Sequence, residues 1–298
     1  MHGSATSAVG EQRGASPARA APASCGIAVM AKASADGRAK TRLAPPLTYR
    51  EAAAFNTAFL KDIADNVRAA GRQASIAGYM AYGPPGSEQF FRDHLRSDIG
   101  LIEVWLPGFG DCLHRAIQEV LARGHAGAVV LNSDSPTLPT SLLIETANLL
   151  AQPGDRAVLG PACDGGYYLL GLKQAHARLF DGIAWSTSRV AEETMARAHE
   201  IGLDLHVLPP WYDVDDIDAL RTLHAHLNGG ACATPDDLNI ADAARLLGED
   251  GFETRPCLDA ALSPHRAWHT AELMKSLLRT TDLARRLAEL PALEGAAL

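Results

Sequence analysis

The sequence contains no apolar run long enough to cross a membrane. Its first 24 residues are rich in Ala, Ser, Gly and Pro but lack the continuous apolar stretch of a signal peptide. These absences point to a cytoplasmic protein that is not membrane-bound, with residues 1–24 as a disordered tail. Arg13 and Arg19 among small residues offer a transit peptide as a second reading, against which stand Glu11 and the lack of an amphipathic pattern. Positive charge is scarce, with 27 Lys and Arg against 35 Asp and Glu and a net charge of -8. A protein that coats nucleic acid is thereby disfavoured, because such binding depends on neutralising many phosphates. Cysteine is sparse too: Cys25, Cys112, Cys163, Cys232 and Cys257 form no C-x-x-C pair and no ladder. That spacing suggests a reducing compartment, with thiols used as small core residues.

What is present is ordinary globular material, 47% hydrophobic and 21% charged, enough for one large domain or a domain with an appendage. Short apolar runs alternate with stretches of helical period. "GIAVM" at 26–30 precedes a helix from about Tyr49 to Ala70, and "ASIAGYMAY" follows from Ala74. "LIEVWLP" leads to "GDCLHRAIQEVLARG", where Leu113, Ala116, Ile117, Val120 and Leu121 fall on one helix face. "AGAVVLN" precedes a helix near Ser141 to Leu150, and "AVLGPA" and "YYLLGL" come after it. Strands apolar throughout and separated by helices predict an α/β domain over 25–228, its mainly parallel sheet covered on both faces. Residues 229–298 offer no further strand but two helices, about Asp236 to Leu247 and Pro264 to Leu290, and read as a helical extension. No internal repeat relates it to the rest.

In a parallel sheet of this kind, ligands sit beyond the carboxyl ends of the strands. The first such end carries "MAKASADGRAKTRL", which gathers Lys32, Arg38, Lys40 and Arg42 around Gly37 in an otherwise acidic chain. The others carry "SDSPTLP", "CDGGYY" and "YDVDDID". Carboxylates facing a loop of cations suit a phosphate ester carried with a divalent metal, because magnesium takes hard oxygen from a few carboxylates and from phosphate. Asp134 and Asp215 are the expected metal ligands, with Asp213 and Asp164 beside them. The basic loop would neutralise the remaining phosphate charge.

Each piece alone also has a structural role open to it. Asp134 could cap a helix, "DGGYY" could be a tight turn, and Asp216 is placed to cap the helix near Ile217 to Asn228. Ser186 and Thr187 read first as helix caps and second as acceptor contacts; Asp111 reads first as a helix start and second as a group near the donor. Trp105 and Trp185 could stack on a base or sugar, and a buried core role is at least as apt for Trp105. His224 and His226, two apart on a helix, are poorly spaced for zinc and read as surface histidines. All four strand ends being incidental, in this order, is the less economical reading.

Together "VMAKASADGRAKTRLAPPL", "GDCLHRA", "VVLNSDSPTLP", "LGPACDGGYYLLGL", "LF..IAWSTSRV" and "YDVDDIDAL" resemble the successive motifs of a glycosyltransferase A-type (GT-A) family. That family includes transferases assigned to arsenosugar biosynthesis and is similar to 2-phospho-lactate guanylyltransferases, within the nucleotide-diphospho-sugar transferase superfamily. The resemblance runs from about Cys25 to Leu223. It implies a Rossmann-like sheet that binds a nucleotide, with Ala31, Lys32, Gly37, Arg38, Lys40 and Arg42 around its phosphates and Asp134 and Asp215 on Mg2+ or Mn2+. It also implies that Gly165 and Gly166 let backbone approach the sugar or acceptor, beside Tyr167, Trp185, Ser186 and Thr187. Where relatives usually continue "DVDTPEDL", this chain has Asp216 and Ile217, so a capping residue survives.

Two chemistries fit. A nucleotide sugar could donate its sugar to a small-molecule acceptor, with Asp164 as base or orienting group and Lys40 and Arg42 balancing charge on the departing diphosphate. Alternatively, a phosphorylated acceptor could attack a nucleoside triphosphate and release pyrophosphate. The motifs "DGGYYLLGL" and "WSTSRV" favour the first, whereas the density of charge in the loop favours the second. A nucleotide-binding module without catalysis would show gaps among the strand-end carboxylates, and none is apparent. The extension could cover the acceptor site, form a homodimer or carry a fused activity.

Overall fold

A computed structural model describes residues 24–228 and 262–289. Seven strands, β1 (Cys25–Lys32), β2 (Ile76–Gly83), β3 (Gly100–Glu103), β4 (Gly127–Leu131), β5 (Arg156–Pro161), β6 (Tyr167–Leu172) and β7 (Asp204–Val207), form one sheet in the order β3-β2-β1-β4-β6-β5-β7. Every neighbouring pair is parallel except those of β6, which runs antiparallel to both β4 and β5. The carboxyl ends of the six parallel strands therefore share one edge with the start of β6.

Eight α-helices are described: α1 (Tyr49–Gly71), α2 (Glu88–His94), α3 (Phe109–Ala122), α4 (Thr140–Ala151), α5 (Val190–Glu200), α6 (Ile217–Leu227), α7 (Trp268–Thr280) and α8 (Leu283–Glu289). Alternate residues of β1 enter opposite layers, Ile27 and Val29 meeting the α1 and α4 side while Ala28 meets the α3 side. Strand β4 is buried along its whole length, as a central parallel strand requires. On α1, Phe55, Phe59, Ile63 and Val67 make one apolar stripe, and a capping box between Thr48 and Glu51 fixes where the helix starts. On α3, Leu113, Ala116, Ile117 and Val120 are buried as their spacing predicts.

Helix α2, of only seven residues, is not anticipated by the sequence alternation, and α5 begins at Val190 rather than directly after the Ser186 and Thr187 read as its caps. The single helix expected over Pro264 to Leu290 is two. It breaks at Thr281, whose hydroxyl accepts from the Leu283 N–H at 3.2 Å. Both pieces lie against the α1 side, where Met274 and Leu283 join the core. The tail expected over 1–24, apart from Ser24, and the helix expected over Asp236 to Leu247 fall outside the described residues.

Cys163 is disulfide-bonded, which corrects the expectation of thiols throughout; Cys25 and Cys112 are free and buried. Wide spacing along the chain does not prevent a fold from bringing two cysteines together, so spacing alone could not settle the point. Among the described residues, no helix is long and apolar enough to cross a membrane.

Candidate functional site

At the shared strand edge lies a cleft of about 640 Å³. Of the residues singled out from the sequence, Lys32, Arg38, Lys40, Arg42, Asp134, Asp164, Gly166, Tyr167, Trp185, Ser186, Thr187, Asp213 and Asp215 line it. Ala31, Gly37, Asp111 and Gly165 are not part of its wall. Ala31 is buried in β1, Gly37 makes a turn at φ 69°, and Asp111 sits in the first turn of α3.

The centre of the cleft is an ion-pair cluster. Lys40 Nζ lies 2.9 Å from Asp134 Oδ1 and 2.7 Å from Asp215 Oδ1, and it donates to the Val214 carbonyl at 2.9 Å. Its side chain is only 6% exposed. Burial opposes its charge, but the carboxylates of Asp134 and Asp215 outweigh burial and hold its pKa above the ordinary lysine value. Lys40 also adopts a left-handed backbone, φ 51° and ψ 40°, a conformation that costs a residue with a Cβ about 1 kcal/mol. The ion pairs offset that cost. The two acidic loops are joined as well, since the Val214 N–H donates to the Asp134 carbonyl at 2.9 Å.

The carboxyl of Asp213 is pushed up to about 7, first by burial and then by the negative charges of Asp164, Asp215 and Asp134. One buried ammonium thus shares the cleft with four carboxyl groups. The surplus of hard oxygen donors and negative charge fits a divalent cation such as magnesium or manganese. Asn132, beside Asp134 in the wall, adds a buried amide oxygen without a hydrogen-bond partner. Among the described residues, no three His, Cys, Asp or Glu side chains are arranged so that they could hold a metal ion, and Lys40 sits between the two aspartates expected to bind metal.

Arg42 is 77% exposed and reaches Asp215 Oδ2 only at 3.9 Å; Lys32 and Arg38 are exposed as well. The loop is tied to α1 at its start, where Asn56 donates to the Lys32 carbonyl at 3.1 Å and to the Ser34 hydroxyl at 2.8 Å. Cations without buried partners are available to an anion in the cleft.

A second part of the wall is aromatic. Trp185 meets Phe109 edge to face at 5.4 Å and Tyr167 at 6.4 Å, and Phe109 is 55% exposed. Gly110 makes room for the indole, since a Cβ there would lie 2.7 Å from Trp185 Cζ2. The Tyr167 hydroxyl is buried without a partner. Asp164 receives the Gly166 N–H at 2.8 Å. Gly165, at φ 88°, lies against the Ser188 carbonyl, which a Cβ would meet at 2.0 Å, so its glycine serves contact with the 184–189 segment. Phe109, Asn132 and Ser188 also line the cleft and are not singled out above. Asn132 stands next to "SDSP" and was discoverable there, whereas Phe109 in "GFGDC" had no recognisable pattern to mark it.

Three readings are corrected. Trp105 is 54% exposed and lies over Gly83 rather than in the core. Ser186 and Thr187 cap no helix, because α5 begins after Arg189; Ser186 takes φ 65° and Thr187 donates to the Ala184 carbonyl at 2.7 Å. His226 is a packed residue, sharing a 2.9 Å hydrogen bond with the Tyr212 hydroxyl and stacking on Trp211, and burial pushes its pKa down. Asp111 does lie in the first turn of α3, as a helix start, but outside the cleft. Asp216 caps α6, accepting from the Ala219 N–H at 2.9 Å.

Residues 66–187 match the sequence profile of a family described as an uncharacterized protein conserved in bacteria (DUF2064). A comparison with curated proteins returned no match. Among solved structures, the chain is similar to one from Desulfovibrio desulfuricans G20 that is assigned as a nucleotide-diphospho-sugar transferase. The identity is 22%, the match covers 88% of this chain and 97% of that one, and the TM-score is 0.66. Two others overlay more loosely. A cytidylyltransferase from Leptospira borgpetersenii serovar Hardjo-bovis has 12% identity, covers 76% of this chain and 94% of that one, and has a TM-score of 0.44. The manganese complex of Rv0371c from Mycobacterium tuberculosis H37Rv has 18% identity, covers 68% and 98%, and has a TM-score of 0.41. The fold is Rossmann-like, a mainly parallel sheet similar to that of the Desulfovibrio desulfuricans structure.

Proposed function

We propose that this protein is a metal-dependent glycosyltransferase that takes a nucleotide-diphospho-sugar as donor and a small molecule as acceptor. The observation that carries the reading is Lys40 held between Asp134 and Asp215 at the bottom of a cleft with exposed cations on one part of its wall and aromatic rings on another. A nucleotide sugar has the same two characters, an anionic diphosphate and a neutral ring. Similarity of fold to a structure assigned as a nucleotide-diphospho-sugar transferase agrees with this.

Bound Mg2+ or Mn2+, held by Asp134 and Asp215 with Asp213 beside them, would supply positive charge to the departing diphosphate. The chain's own cations add to it: Lys40 from a buried position, and Lys32, Arg38 and Arg42 from exposed side chains. The acceptor oxygen forms a bond to the anomeric carbon as that carbon releases the diphosphate oxygen, and the acceptor proton passes to Asp164. Trp185 and Phe109 orient the ring and shield it from water. The loop's four cations favour a second reading, in which a nucleoside triphosphate is attacked by a phosphorylated acceptor and pyrophosphate leaves.

Purified protein with Mg2+ or Mn2+ should be screened against nucleotide sugars and nucleoside triphosphates, with and without acceptor mixtures. Release of nucleoside diphosphate from one nucleotide sugar supports glycosyl transfer and names the donor. Pyrophosphate release from a triphosphate replaces it with nucleotidyl transfer.

A further inference from the structure

The basic loop returns to the core through Lys40, a short 3-10 turn at Thr41–Leu43, and then Pro46 to Thr48, where α1 begins. The turn is fastened to Lys40 itself, because the Leu43 N–H donates to the Lys40 carbonyl at 3.0 Å, and Leu47 donates in turn to Leu43 at 2.9 Å. Leu43 and Leu47 are buried. This limb of the loop, from Lys40 to Thr48, is therefore one continuous hydrogen-bonded piece.

Its far end is gripped from a distant part of the chain. On α8, Arg286 Nη2 donates to Glu51 Oε1 at 2.7 Å and Nη1 donates to Glu51 Oε2 at 2.9 Å and to the Pro46 carbonyl. Its Nε pairs with Asp282 at 2.7 Å, which sets the guanidinium plane. Glu51 Oε2 also receives the Thr48 N–H at 2.7 Å, so one carboxylate serves both the helix cap and the arginine. The pair is shielded, at 19% and 10% side-chain exposure. Further along α1, Asp62 anchors the start of α7 by receiving the N–H groups of His269 and Thr270 at 2.8 Å each.

We propose that Arg286 is a positioning residue for the basic loop, holding the limb from Lys40 to Thr48 where Lys40 and Arg42 face the cleft. The helices after residue 262 thereby act on the donor site without lining it. The link to phosphate affinity rests on the function proposed above; the link to loop order does not.

The test compares hydrogen exchange at residues 41–48 and titration with inorganic pyrophosphate plus Mn2+ in the full chain, Arg286→Gln, Arg286→Lys and Arg285→Gln. Arg285 makes exposed pairs with Asp282, just before α8, and with Glu289 of α8, and serves as the control. In Arg286→Gln the backbone amides of the limb should exchange about tenfold faster, those of α3 and β4 should be unchanged, and pyrophosphate should bind about tenfold more weakly. Arg286→Lys, which keeps charge but loses the fork, should fall between; Arg285→Gln should match the parent. Limb exchange unchanged in Arg286→Gln, or equally raised in Arg285→Gln, overturns the proposal. If Arg286→Gln does not fold, Arg286→Lys decides by the same readings. If the parent does not bind pyrophosphate, the phosphate reading of the loop fails, and exchange alone still decides the role of Arg286.

Discussion

Lys40 Nζ and Asp215 Oδ1 stand 2.7 Å apart although 175 residues separate them in the chain. The contact closes the basic loop onto the last acidic motif, with Asp134 as the third member. Removing the ammonium leaves several carboxylates facing one another with little positive charge between them. Lys40→Met should therefore lower stability by about 2 kcal/mol, less than for a fully buried pair because the aspartates are partly exposed. For a domain of this size that corresponds to a fall in Tm of about 4–8 °C, measurable by calorimetry without metal. An unchanged Tm would mean that the bridge contributes nothing net.

Asp213 gives a pH signature. Its carboxyl is raised to about 7 in the folded chain and should titrate at an ordinary value, near 4, when unfolded. The folded state then binds more protons between those values, so stability falls as pH rises from about 4 to about 7 and this contribution is level above. Asp213→Asn removes that slope. In metal-free urea melts the variant should match the parent near pH 4 and exceed it by about 2 kcal/mol near pH 8. Parallel profiles would show that Asp213 is not held protonated.

Gly110 tests whether Trp185 is a built part of the cleft. Glycine to alanine in an exposed helix gains about 1 kcal/mol, but here the new methyl would meet the indole at 2.7 Å. Gly110→Ala should instead lose about 1 kcal/mol and shift Trp185 emission, while affecting the acceptor KM more than donor binding. A stabilised variant with unaltered emission would show that the indole is free to move.

Gly165→Ala should cost about 2 kcal/mol or more, because it combines a positive φ of 88° with a Cβ 2.0 Å from the Ser188 carbonyl. Chemical denaturation measures the loss, and hydrogen exchange should place the loosening in residues 184–189. Loosening elsewhere would contradict the contact.

The α/β class with a mainly parallel sheet could be read because runs such as "AVVLN" are apolar on both faces, a property local to each run. The reversal of β6 could not, since "YYLLGL" reads equally well in either direction and only its two-glycine turn from β5 decides. The four strand ends were legible because cations and carboxylates stood out against apolar neighbours, and the cleft does gather Lys40, Asp134, Asp164, Asp213 and Asp215. Neither the Lys40 bridge nor Arg286 was legible. Both depend on partners far away in the chain, and Arg286 sits among ordinary surface charges in "DLARRLAEL". Trp105 was misplaced because its run looked like a strand to Pro107, whereas β3 ends at Glu103 and leaves the ring over Gly83.

The most direct measurement of the central claim is equilibrium binding of a panel of nucleoside diphosphates, with and without Mn2+, to the parent, Lys40→Ala and Asp134→Ala. The account predicts one preferred nucleotide whose binding strengthens with Mn2+, weakens at least about tenfold in Lys40→Ala, and loses its Mn2+ dependence in Asp134→Ala. Nucleotide binding that ignores Mn2+ and both substitutions would contradict the assignment of this cleft.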